Sequence, residues 1–170
     1  MHIPTHILSG WCLADTLDLA PRERLSAMVA ASAADLDGLG LFVSVEFYAE
    51  YHHVLGHNLL AGMLLSAGLA TLASKPHRMK MFCLSLVLFH LHLVLDYYGS
   101  GPGWGFEYLW PFADLHVECE HAWELASWEN FLAFGILLAW TGIIFVRRRR
   151  TPLEVICPSL EARAVRHLPK

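Results

Sequence analysis

The sequence predicts an all-α fold, a polytopic helical membrane protein with three long spans plus short N-terminal helices, and three observations carry that expectation. Of 170 residues 55% are hydrophobic and only 16% charged, at a mean hydropathy of +0.41, which is too apolar for an ordinary soluble domain. Charge is also segregated along the chain. All twelve Lys and Arg fall into three groups: Arg22 with Arg24; Lys75 with Arg78 and Lys80; and Arg147 to Arg150 with Arg163, Arg166 and Lys170. Soluble helical proteins mix the signs over their surfaces, whereas cytoplasmic loops of membrane proteins concentrate Lys and Arg beside the span ends. Finally, residues 59–74, 81–95 and 131–146 contain no Asp, Glu, Lys or Arg.

Each of these runs covers roughly 22 to 24 Å at about 1.5 Å per residue, and needs amphipathic flanks to match a hydrocarbon core of about 30 Å. Tyr97, Tyr98 and Trp128 supply such flanks. With the basic groups inside, the first run descends, the second rises and the third descends, and Pro76 turns the loop between the first two. Ahead of them, residues 6–14 and 25–34 are expected as half-length helices around an inner turn holding Pro21, Arg22 and Arg24. No signal peptide is expected, because no basic residue precedes the first apolar stretch. Residues 1–150 therefore read as a single helical membrane domain, and 151–170, with Pro152, Pro158 and Pro169, as a loosely packed cytoplasmic tail. This places the chain in a bacterial inner membrane as a multi-pass protein, with membrane lipids as its surroundings.

Composition also excludes function classes. The net charge is −4, with no basic face interleaved with aromatics, so nucleic acid is not an expected partner. Cys12, Cys83, Cys119 and Cys157 stand alone, which indicates neither a disulfide framework nor a zinc ribbon and reads as buried packing. Eleven histidines are the unusual number, since imidazole combines proton chemistry with metal ligation.

In the predicted topology His6, Asp35, Asp37, His52, His53, His57 and Asp96 come out near the same, non-cytoplasmic face. His92 and Asp96 are four apart, about 40° around a helix, so both can reach one ion, while His90 points elsewhere. Residues 51–58 read YHHVLGHN. His53 and His57 would share a helical face, but Val54 stands where a zincin protease carries its Glu, which excludes that mechanism. Asp35 and Asp37 lie beside Gly38 and Gly40; in a turn both could face a cation. Mixed imidazole and carboxylate donors with an open position suit a catalytic divalent ion such as Zn²⁺, Mn²⁺ or Fe²⁺. The aromatic, glycine-rich loop of residues 99–128 reads as an interfacial anchor, with a lid beside Asp96 as the alternative. Asp114, His116, Glu118, Glu120 and His121 within it read as an acidic extracytoplasmic surface.

In order along the chain stand Thr5-His6, Ala34-Asp35-Leu36-Asp37, His52-His53-Val54-Leu55-Gly56-His57, His92 to Asp96, and Trp110-Pro111-Phe112. This series resembles the YdjM-like membrane-bound metal-dependent hydrolases of bacteria over about residues 2 to 112. Ala34, His53 and Gly56 depart from that family's proline, arginine and threonine. The resemblance selects His52 with His57, whereas helical spacing selects His53 with His57. It implies a helical inner-membrane protein with hydrolase activity and a divalent metal, and no particular substrate.

The expected ligand set is therefore His6, Asp35, Asp37, His52, His53, His57, His92 and Asp96, with zinc favoured. Asp35 or Asp37 is the expected proton acceptor. The expected substrate is an unknown small molecule or a lipid-linked ester or phosphodiester, because the site lies at the membrane boundary. Two other functions fit the composition: a haem-binding electron-transfer protein using histidine pairs, disfavoured by the aspartates, and an ion transporter relaying through His92 and Asp96. Three spans make a thin pathway, so the transporter requires an oligomer.

Overall fold

The computed structural model describes residues 1–166, and the last four residues of the expected tail lie outside it. Helix α1 (Ile3–Thr16) begins with Pro4 in its first turn, where the missing N–H costs nothing. After a four-residue turn, α2 (Pro21–Ser32) starts on Pro21, and Glu23 accepts the Ala20 N–H at 3.1 Å. It continues as a 3₁₀ segment, Ala33–Phe42. The short α3 (Val45–Tyr51) is capped by Ser44, and α4 (Leu59–Leu72) by Asn58, whose Oδ1 accepts the Ala61 N–H at 2.8 Å. Helix α5 (Arg78–Gly99) rises from a 3₁₀ turn around Pro76. Residues 100–127 form a loop whose only ladder among the described residues is a two-residue antiparallel pair, β1 (Phe106–Glu107) with β2 (His116–Val117). Helix α6 (Trp128–Arg148) leads to α7 (Leu153–Ile156) and α8 (Pro158–Arg166).

The expected all-α architecture with three membrane-length helices is present, and the runs at 81–95 and 131–146 lie within two of them, but the first expected run does not form the third. Pro21–Phe42, Lys75–Gly99 and Trp128–Arg148 have the length and apolarity to cross a membrane. The run beginning at Leu59 forms a helix of only 14 residues, about 21 Å long at 1.5 Å per residue. Instead, the half-length helix expected after Arg24 is prolonged by the 3₁₀ segment, which keeps the chain extended through Asp35 and Asp37.

Small residues set the packing. Ala27, Ala30 and Ala31 on α2 meet Ala14, Leu69, Ala73, Met81 and Leu88 in a buried core between α1, α2, α4 and α5. Gly10 lets α1 lie against α2: a Cβ there would come within 2.5 Å of the Ala27 carbonyl oxygen. Helix α6 is attached on one side, where Ile144 and Trp140 pack on Trp11, Cys12 and Met28. Its other faces, including Phe131, Leu132 and Ile136, are exposed, and in a bilayer such faces meet acyl chains. Of the cysteines only Cys12 is buried; Cys83 is exposed, and Cys119 and Cys157 are half-buried. The expected buried packing therefore holds for Cys12 and not for the exposed Cys83.

The three basic groups converge at one end of the bundle. Arg24 donates from Nε and Nη2 to Glu154 at 2.5 Å each, Trp11 Nε1 donates to the same carboxylate, and Arg148 pairs with Asp18 at 2.7 Å. Lys80 reaches the Leu17 carbonyl at 2.9 Å, and Glu23 accepts from His77. The start of the tail is thereby held against α1 and α2, more firmly than its prolines suggest.

Candidate metal centre

At the opposite end, segments from four parts of the chain bring acids and imidazoles together. Helix α5 supplies His92 and Asp96, one turn apart, with His92 Nε2 2.9 Å from Asp96 Oδ2. The turn between α3 and α4 supplies His57, whose Nε2 is 3.1 Å from His92 Nε2 and 3.4 Å from Asp96 Oδ2. The 3₁₀ segment supplies Asp35, with Oδ1 3.7 Å from His92 Nε2 and 4.0 Å from His57 Nε2. Helix α1 supplies His6, with Nε2 3.1 Å from Asp96 Oδ1. The side chains of His6, His57, His92 and Asp96 are at most 1% exposed, and that of Asp35 is 16% exposed, so Asp35 marks the open side.

The tautomers follow from the outer partners. His92 Nδ1 lies 2.8 Å from the Ala31 carbonyl, which can only accept, so Nδ1 carries the proton. His57 Nδ1 lies 2.9 Å from Asp37 Oδ2, a carboxylate oxygen that also accepts the His53 and Gly56 backbone N–H groups. Both Nε2 atoms then present lone pairs to each other at 3.1 Å. Two facing lone pairs flanked by carboxylates demand a cation, either a proton or a metal. Burial opposes charge on His57, but the hydrogen bonds it donates to the Asp37 and Asp96 carboxylates outweigh that and raise its pKa to about 9.

Asp35, His57, His92 and Asp96 form a group able to hold a metal ion, each offering one donor atom within 4.8 Å of the others. The five separations given above, from 2.9 to 4.0 Å, bracket the edge of about 3.3 Å expected for a tetrahedron with bonds of about 2.0 Å. Asp35 Oδ2 is buried without a hydrogen-bond partner, and the Met1 amino group contacts Asp96 and Ser100 Oγ. The donor set fits a divalent ion.

Asp37 stands behind this group. Its Oδ1 accepts from His52 Nδ1 at 2.7 Å, and its Oδ2 holds His57. His52 stacks on Tyr48 and faces the approach. His53 does not share a helical face with His57, because residues 52–58 form an irregular turn in which His53 has φ +68°. Burial, then repulsion from His57 and His52, pushes the His53 ring down to about 3, so it is neutral; its Nδ1 donates to the Trp104 carbonyl at 3.2 Å. Gly56 makes that turn possible, since a Cβ would strike the Ala34 carbonyl oxygen. His90 is turned away and pairs with Tyr108. Tyr48, Trp104 and Glu124 line a chamber of about 240 Å³ over the Asp35 side. Tyr48 and Glu124 carry no sequence signal for this; Trp104 belongs to the glycine-rich loop already singled out beside Asp96.

Fold and site together define a polytopic helical membrane protein with a buried histidine–aspartate group competent to bind a metal. The chain belongs to the YdjM inner membrane protein family, whose model it matches over residues 1–162. No curated protein and no solved structure matches it.

Proposed function

We propose that this protein is a membrane-embedded metal-dependent hydrolase whose ion, zinc in the favoured case, is held chiefly by His57, His92 and Asp96, with Asp35 beside it on the open side. The observation that carries the reading is the pair of Nε2 lone pairs, oriented by the Ala31 carbonyl and Asp37 onto one point between two carboxylates. A divalent ion there supplies Lewis acidity toward a carbonyl or phosphoryl oxygen and lowers the pKa of water. The residues do the rest. Asp37 and Ala31 fix the two rings, and His6 braces Asp96 from α1. Of the two expected proton acceptors, Asp37 has both oxygens engaged, whereas Asp35 keeps Oδ2 unpaired on the open side; Asp35 is therefore the acceptor we assign. His52, held by Asp37 through Nδ1, lines the approach and is placed to contact substrate.

Opposite placement of the basic groups supports an extracytoplasmic site and a lipid-linked ester or phosphodiester as substrate. The 3.1 Å between His57 and His92 Nε2 leaves no room for a porphyrin between these rings, which argues against the haem reading. Metal analysis of purified protein tests the proposal: about one divalent ion per chain is expected, falling in His57→Ala. Chromogenic phosphodiesters, phosphomonoesters and acyl esters in lipid micelles should show metal-dependent turnover of at least one class. An ion content indifferent to His57, His92 and Asp96, or no turnover across the panel, would refute it.

A further inference from the structure

We propose that the substrate is an amphiphile whose hydrocarbon chain runs from the metal centre to the bilayer between the start of α1 and the start of α6. This rests on the hydrolase reading and specifies the shape of what it hydrolyses. Three cavities line up. The polar chamber shares Asp35, Tyr48, His52 and Leu125 with a cleft of about 540 Å³, within the range of about 300 to 1,000 Å³ usual for small-molecule sites. That cleft is walled by Ile3, Pro4, Leu39 and Leu125, and it shares His2 and Pro4 with a groove of about 190 Å³ bounded by Phe131 and Phe134.

Polarity changes along the route. The carboxylates and most of the imidazoles cluster at the inner end, where the Met1 amino group meets Asp96; beyond them His2 is the one titratable side chain lining the outer cleft and the groove, and no further carboxylate, Lys or Arg lines either. A charged head group finds partners only beside the centre, because elsewhere on the route it would be desolvated without compensation. Hydrocarbon is suited to the remainder. The outer mouth opens on the face of α6 bearing Phe131, 58% exposed, beside Ile3, 53% exposed. Trp128 precedes these residues at the helix start, where an indole sits at the membrane interface. The mouth therefore lies at acyl-chain depth, and the occupant that matches a path polar at one end and apolar at the other is the substrate's own chain.

Alkylphosphonates test this, because an anionic head attracted to a divalent ion is joined to a chain of chosen length. Calorimetry would use the metal-loaded full chain in lipid nanodiscs, with methylphosphonate and decylphosphonate as probes and empty nanodiscs subtracted. Decylphosphonate should bind at least about tenfold more tightly, since each buried methylene adds favourable transfer free energy. Phe134→Trp and Leu39→Trp, which fill the groove and the cleft, should each remove most of that gain while leaving methylphosphonate affinity and metal content unchanged. Ile136→Trp, on the outer face of α6, should leave all three values as in the wild type. Equal affinities for the two probes, or a gain surviving both filling substitutions, would overturn the chain route and leave the metal centre standing. Bound metal with neither phosphonate bound would also overturn the route. Protein holding no divalent ion and binding neither probe would overturn the hydrolase reading and the route with it.

Discussion

Asp37 and Asp35 sit two residues apart in different surroundings. Asp37 accepts from two imidazoles and two backbone N–H groups, so Asp37→Asn should disorder His57 and weaken metal binding by about 10- to 100-fold, as loss of a ligand's outer partner does; a competition titration with a chromogenic chelator measures it. Asp35→Asn should retain most of the metal yet lower turnover by about 10²- to 10⁴-fold, the range for a removed proton acceptor. Equal loss of metal in both variants would show that the two carboxylates share one role. This division was not legible in the sequence. Two carboxylates beside two glycines look alike until the 3₁₀ segment turns one toward α5 and the other toward the 52–58 turn. His92 with Asp96 was legible, because both lie on one helix and a four-residue spacing fixes their direction. The competition between His52 and His53 was not, because it depends on a left-handed backbone at His53 that no periodicity announces.

Among the elements, the short α7 is bound out of proportion to its length. Glu154 receives the Arg24 guanidinium and the Trp11 indole in a region where the Arg24 side chain is only 4% exposed. Glu154→Ala should destabilise the fold by about 3 kcal/mol, because a buried cation is left unpaired. The double variant Arg24→Met, Glu154→Leu should recover much of that loss; thermal unfolding in detergent compares them. In the outer loop, His116 donates to Glu107 first and then Glu118, which raises its pKa above the usual 6.5. This stabilisation is complete below the unfolded value and is lost as pH rises through the higher folded value. The ring is 55% exposed, so solvent screening keeps the effect small. Its NMR titration midpoint should lie above 6.5 and return toward it in Glu107→Gln. The spans show where apolar counting stops being informative. Arg22, Arg24, Asp35 and Asp37 interrupt the stretch that forms Pro21–Phe42, while residues 59–74 read as a longer helix than the 14 residues formed.

At the level of the whole molecule, charge and chemistry occupy opposite ends. Reporters fused after Arg150 or within residues 75–80 should read cytoplasmic, and one within residues 101–105 extracytoplasmic. All three on one side would invert or abolish the proposed sidedness of the metal centre. That the basic groups gather at one end was legible from the placement of Lys and Arg, because such residues collect on one side of a membrane regardless of the fold between them. The convergence of His6, on the first helix, with Asp96, on the fifth, was legible only through that topology.

The distance along the chain between His6 and Asp96 has a consequence for biosynthesis. Synthesis is vectorial, and Asp35 and His57 leave the ribosome well before His92 and Asp96. A nascent chain halted ahead of α5 holds half of the donor atoms and lacks the carboxylate that His6 braces. On the proposed reading, cation capture is a late event in the life of each molecule, contingent on insertion of the fifth helix, and an abortive fragment does not sequester the ion.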